Sequence, residues 1–252
     1  MAAVLPRSAW ALRTTSFVVL LGLWQIAAWS LATDMLPSPL AVAARIAWEI
    51  SHAELPWHLG ITLARVAISF ALAMLIGTAI GIVMGRWRSA DLLLDAWLVI
   101  GLNIPALVTI ILCYVWIGLT DLAAIVAVAI NKIPIVVVTV REGARAVDRE
   151  LLAVARAFRL SRRRTLLRVY LPQLYPYIMA AARGGLALIW KIVLVVELLG
   201  RSDGIGFQLS IFFQFFDITG IVAYTVVFAS VVLLVEALLM RPLERRLNAW
   251  RL

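Results

Sequence analysis

The sequence predicts an all-α membrane protein: a bundle of six transmembrane helices with a cytoplasmic helical loop between the fourth and fifth spans. Three observations lead there. Of 252 residues 64% are hydrophobic, and mean hydropathy is +1.00, whereas soluble domains are about half apolar. Six apolar runs, at 16–33, 62–84, 97–117, 122–140, 177–199 and 220–240, approach or exceed the roughly 20 residues that cross a ~30 Å hydrocarbon core. The basic residues collect on one side of those runs. None alternates with the period-two pattern of a strand, and a helix satisfies its own backbone in lipid. The whole chain, 1–252, reads as one membrane domain.

Taken in order, the first span follows Arg7 and Arg13. With the triplet Ser30–Ala32 it also resembles a cleavable signal peptide, although its apolar run is long for one. The remaining spans keep their orientation either way. Next, Ser38 before Pro39 is a helix-start signal. Leu40, Ala43, Ala44, Ile46, Ala47 and Ile50 then form one apolar face. This short helix lies on the outer membrane surface or packs as a loop helix. After the second span, the linker 85–96 carries Arg86 and Arg88. Asn103 with Pro105 marks an irregular point in the third span, and Pro134 marks another in the fourth. The connection 141–176 carries nine arginines against three acids. Pro176 opens the fifth span, and Gly204 and Gly206 permit an outer turn beyond it. The tail after the sixth span holds Arg241, Arg245, Arg246 and Arg251. The opposite-side segments 34–61, 118–121 and 200–219 are near neutral or acidic. The positive-inside rule therefore places both termini in the cytoplasm.

Within the basic connection, 148–172 reads as helix–turn–helix. Asp148 caps a helix whose first turn holds Glu150. Leu151, Leu152, Ala155 and Phe158 share one apolar stripe, with Arg149, Arg156 and Arg159 largely off it. Ser161 caps a second short helix that ends at Leu171–Pro172. Anionic headgroups account for the arginines. A compact apolar face beside them suits docking into a partner's groove.

The stretch "ELLAVARAFRLSRRRTLLRVYLPQLYPYI" resembles the cytoplasmic coupling-helix loop of importer-type ABC-transporter permease subunits. That signature is Glu-Ala-Ala, three residues, Gly, nine residues, an aliphatic residue, one residue, then Leu-Pro. Ala155 takes the second alanine position and Val169 the aliphatic one. "LPSP", "ITLARVAISFALAMLIGTAIGIVMG", "NIPALVTIILCYVWIGL", "WKIVLVVELLGRSDGIGFQL" and "PLERRLNAWR" extend the resemblance over nearly the whole chain, most closely to the nitrate/sulfonate/taurine branch. The family's glutamate falls at Ala153 and its glycine at Arg159. Either the turn at Arg159 differs or the two helices join more smoothly.

The resemblance implies a second copy of this chain forming the pore, a cytoplasmic ATPase dimer binding ATP and Mg, and an extracytoplasmic solute-binding protein. It implies alternating access in a bacterial inner membrane. Glu150, Leu151, Leu152, Ala153, Ala155, Arg156, Phe158 and Arg159 are then the ATPase-coupling residues. The chain itself has no G-x-x-x-x-G-K-[ST] phosphate loop, so ATP must act on another subunit. No cofactor of its own is expected. Cys113, His52 and His58 form no metal motif, no catalytic group is visible, and the charge forms no separate nucleic-acid-binding domain.

Polar groups inside spans are expensive and mark pathways or helix contacts. Lys191, Glu197, Asn103, Asn131 and Lys132 are the candidates. Lys191 and Glu197 lie about 240° apart on a helix and do not pair within it. Lys191 could attract an anion such as a sulfonate, taurine or nitrate, or pair with an acid on another helix. Glu197 and Lys132 could instead approach opposite membrane surfaces. An uncharged or cationic vitamin precursor is the alternative cargo. An ion-coupled secondary transporter is the rival class, but no repeated halves are visible.

Overall fold

The computed structural model describes residues 7–31, 33, 35–52 and 54–243. In chain order the helices are α1 (Arg7–Leu31), α2 (Pro39–Ser51), α3 (Glu54–Arg86), α4 (Arg88–Asn103), α5 (Ala106–Ile117) and α6 (Asp121–Arg145). There follow α7 (Arg149–Ala157), α8 (Arg162–Thr165), α9 (Leu171–Gly200), α10 (Ile205–Gln214) and α11 (Ile218–Val235). Arg245, Arg246 and Arg251 of the basic tail lie outside the described residues, as do Ala32, Asp34 and the side chains of Arg7 and Arg13.

Among the described residues, five helical rods are long and apolar enough to cross a bilayer, and α4 with α5 makes a sixth crossing if the pair is one broken span. The expected third span, 97–117, is therefore not one rod: α4 and α5 meet at 98°. The residue before a proline is pushed out of the α region. Ile104, before Pro105, is accordingly extended at φ −71°, ψ 123°. The Asn103 side chain donates to the Val99 carbonyl at 2.7 Å. Pro134 behaves differently, because α6 runs through it without interruption. The second loop helix also differs from expectation, since it does not stop at Leu171–Pro172. From α8 the chain passes through a π turn at Leu166–Tyr170 straight into α9, which contains Pro176. The wider turn fits Pro172, which has no N–H to close a regular α turn.

The core lies where α3, α5, α6, α9 and α11 meet, around Val66, Ile110, Ala127, Ile189 and Val193. The closest seam is α3 on α6. Ser69, Ala73, Gly77, Gly81 and Gly85 recur every four residues along α3, so they share one face. A Cβ at Gly77 would stand 2.7 Å from Val136 Cβ, and one at Gly81 would stand 2.8 Å from Val140 Cβ. Small residues let membrane helices approach backbone to backbone, where dispersion and weak polar contacts replace the hydrophobic effect.

The helix α2 begins as expected, with Pro39 in its first turn and the Ala41 N–H donating to Ser38 Oγ at 3.2 Å. Its packing face is not the apolar one. Val42 and Glu49 turn inward, while Leu40 and Ile50 are exposed. Glu49 accepts from Tyr224 of α11 at 3.1 Å and pairs with Arg45 at 3.0 Å. Arg45 reaches Asp217 at 3.1 Å. Helix α2 is thus pinned to α11 by polar contacts and shows its apolar face outward.

Gly81→Leu is expected to lower stability in detergent by about 1–3 kcal/mol through overpacking of the α3–α6 seam. Gly22→Leu, at a glycine with open space around it, serves as the neutral comparison. Thermal unfolding of both variants checks this.

Candidate functional site

The basic loop forms at one end of the bundle. Asp148 caps α7, accepting from the Glu150 N–H at 2.7 Å and the Leu151 N–H at 3.4 Å. The Asp148 N–H donates to Gln173 at 2.8 Å, which ties the loop to α9. Ala155 is buried, and Leu152 is half-buried against Ala144, Val147 and Tyr170. The expected stripe therefore divides. Leu152 and Ala155 hold α7 to the bundle, while Leu151, Val154 and Phe158, the last 77% exposed, face outward. Glu150, Ala153 and Arg156 are also exposed.

Arg159 keeps the left-handed turn, at φ +50°. The Leu160 N–H donates to the Ala155 carbonyl at 3.0 Å, and the Arg159 N–H to the Arg156 carbonyl at 2.9 Å. These two bonds are the Schellman ending usually built on glycine. An arginine there costs roughly 1–2 kcal/mol of backbone strain.

At the opposite end stands a polar cluster centred on Arg65, which sequence reasoning missed. Arg65 is 4% exposed and Glu197 is 0% exposed. Arg65 Nη1 donates to Glu197 at 2.8 Å, and Nε donates to Asp121 at 2.8 Å. Arg65 also binds the Asp203 carboxylate, and the Asp203 carbonyl at 3.0 Å. The Thr62 hydroxyl meets Glu197 at 2.9 Å and accepts from the Ile205 N–H at 2.9 Å. The Gly206 N–H donates to Glu197 at 2.9 Å, and the Gly204 N–H to His58 Nδ1 at 2.9 Å. The side-chain amide of Gln208 lies 2.7 Å from His58 Nε2. Gly204 makes the expected turn at φ +103°, and any side chain there would strike the Glu197 carboxylate.

Both oxygens of Glu197 are engaged, in a clamp that joins α3, α6, α9 and α10. The missed signal was an arginine three residues after Thr62 inside an apolar span.

The two lysines have different settings. Lys191 is exposed on α9, with no ion pair among the described residues. Lys132 is 1% exposed, and its Nζ has no hydrogen-bond partner among the described residues. It lies against Gly185 of α9, where a Cβ would come within 2.6 Å of Lys132 Cε. Asn131 is half-buried and donates to the Ala127 carbonyl at 3.0 Å, whereas Asn103 is exposed at the α4–α5 break. The structure does not gather these five groups into one site.

Glu197→Ala is expected to cost about 3 kcal/mol, because Arg65 then keeps a buried charge with fewer partners. Glu197→Gln, which retains two of the hydrogen bonds, should cost less. Thermal unfolding in detergent orders the two variants.

A family profile described as "Binding-protein-dependent transport system inner membrane component" matches residues 73–249. The permease protein SsuC of Bacillus subtilis (strain 168), assigned to aliphatic sulfonates transport, is 30% identical over 235 residues, 92% of this chain and 85% of that one. The taurine transport system permease protein TauC of Escherichia coli (strain K12) is 28% identical over 246 residues, 93% of this chain and 88% of that one. Among solved structures, the methionine ABC transporter MetNI in an inward-facing form superposes at a TM-score of 0.64 with 20% identity. That match covers 80% of this chain and 98% of the other, and it shows the shared fold.

Proposed function

Because the chain belongs to the family of binding-protein-dependent transport system inner membrane components, in the nitrate/sulfonate/taurine-like branch of ABC importer permeases, we propose that it carries a small organic or inorganic anion inward by alternating access. Two copies form the pore. A cytoplasmic ATPase dimer, binding ATP and Mg, drives it, and an extracytoplasmic binding protein delivers the solute. Both termini are cytoplasmic, on the side of the arginine-rich loop.

The observation that carries this reading is the outward face of α7. Leu151, Val154 and Phe158 lie at helical spacing on a capped, anchored helix, and the bundle leaves them uncovered. Such a face fits a groove on a partner. Glu150 and Arg156 flank it, and Arg159 sets the turn behind it. Sulfonate and taurine are the cargo classes of the named relatives, and an exposed lysine inside a span suits an anion. Lys191, unpaired on α9, faces the second copy and the path between the copies, because lipid would penalise it. Lys132 is the second pathway cation, with Asn131 beside it. Its Nζ becomes available when the α6–α9 seam opens at Gly185.

Reconstitution with the ATPase and binding protein tests the whole reading: ATP-dependent uptake of taurine or an alkanesulfonate is expected. Uptake driven by an ion gradient through this chain alone would instead favour a secondary transporter. Uptake restricted to an uncharged or cationic solute would overturn the anion assignment. Leu151→Asp with Phe158→Asp should abolish co-purification of the ATPase, and retained assembly would sink the docking claim.

Lys132 has its own test. Lys132→Met removes a buried, unpaired cation and should raise thermal stability by about 1–3 kcal/mol. If Lys132 serves the path, the same variant should lower anion uptake roughly tenfold, equivalent to about 1.4 kcal/mol. Unchanged uptake in the stabilised variant would make Lys132 a packing residue.

A further inference from the structure

A cavity of about 1000 Å³ opens between α7, α8 and the loop-side ends of α3 and α6. Arg86, Arg145, Arg149, Arg156 and Arg162 line it, and among the described residues no acid does. Arg145 is already paired with Asp91 and Glu142. The other four have no ion pair among the described residues. Tyr170 also borders the cavity. It is 5% exposed, and its hydroxyl is buried without a hydrogen-bond partner among the described residues. The Arg86 guanidinium stands 5.9 Å from its ring centre.

Four exposed guanidinium groups without ion pairs around one hollow focus a positive potential there, which attracts an anion. A buried hydroxyl without a partner costs about 1–3 kcal/mol. One phosphate group answers both once the Tyr170 side chain turns its enclosed hydroxyl into the cavity, since phosphate oxygens take forked arginine donors and a phenolic O–H together. The remaining wall is apolar, with Leu152 and Leu166 among its members. A free inorganic anion would leave that wall unused. The cavity also lies at the loop-side ends of two candidate spans, α3 and α6. Basic pockets at that level are the setting in which anionic lipid headgroups bind.

We propose that this cavity is a specific binding site for the phosphate headgroup of one anionic phospholipid, held by Arg86, Arg149 and Arg162 with Tyr170 donating. A lipid seated there lies directly beneath α7 and braces the loop against the membrane. This differs from general attraction of a basic surface, because it assigns one lipid to one cavity.

Native mass spectrometry of the full chain in detergent tests the proposal, with phosphatidylglycerol, phosphatidylcholine and inorganic phosphate as probes. One phosphatidylglycerol should bind per chain, about tenfold or more tightly than phosphatidylcholine. The triple variant Arg86→Gln, Arg149→Gln, Arg162→Gln should lose that preference while keeping its helical circular dichroism. The double variant Arg163→Gln, Arg164→Gln removes exposed charge outside the cavity and should retain it. Equal binding of the two lipids, or equal losses in both variants, would overturn the proposal. Displacement of the lipid by millimolar inorganic phosphate would reassign the cavity to a free anion. Should the triple variant keep its lipid and lose the ATPase instead, the cavity is a protein contact and the lipid assignment fails.

Discussion

Arg65 carries a permanent charge into a span, and its neutralisation organises one whole end of the molecule. A guanidinium removed from water needs acceptors on several sides. Here Asp121 comes from the start of α6, Glu197 from the end of α9, and Asp203 from the loop that follows. Asp121 is far in sequence from Glu197 and Asp203, which stand six residues apart, so satisfying one cation fixes how α6 and the end of α9 with its following loop converge on α3. Glu197 then passes the constraint onward. Its carboxylate takes the Gly206 N–H and leaves no room for a side chain at Gly204, which sets the turn into α10. The placement of α10 follows from electrostatics at α3 more than from its own sequence.

Much of the architecture is legible from hydropathy alone, because lipid demands long apolar helices and tolerates little else. Contacts between those helices are less legible. A hydropathy average over 62–84 absorbs Arg65 among apolar neighbours, and it treats Gly77 and Gly81 as merely unremarkable. The four-residue spacing that packs α3 on α6 is present in the sequence, but only a search for small residues reveals it. Pro105 and Pro134 show why a local signal is insufficient. Asn103, Ile104 and Pro105 are exposed, so nothing opposes the break. Pro134 is buried in α6, with α4 crossing at Gly101. A bend there would open the tightly packed seam with α3.

In the loop, capping is legible because Asp148 and Ser161 act within a few residues of themselves. The direction of α7 is not. A nine-residue helix rich in Leu, Ala and Val has two apolar edges, and only the tertiary structure decides which one is covered. Arg159 shows the limit of a pattern match. The backbone retains the conformation for which the family uses glycine, and the side chain accepts the strain. The two hydrogen bonds of the Schellman ending compensate in part, together with the lower freedom of a non-glycine residue in the unfolded chain.

The fifth span does more than cross a bilayer. From Arg162 to Gly200 the chain is helical for 39 residues, about 58 Å at 1.5 Å per residue. One tip of this rod abuts the turn behind α7, and the other holds Glu197. A tilt of about 5° around its centre would shift each tip by about 2.5 Å. That is nearly the length of the Arg65–Glu197 hydrogen bond, 2.8 Å. A change of direction that barely displaces the apolar middle of the rod is therefore comparable, at its far end, with the reach of one hydrogen bond.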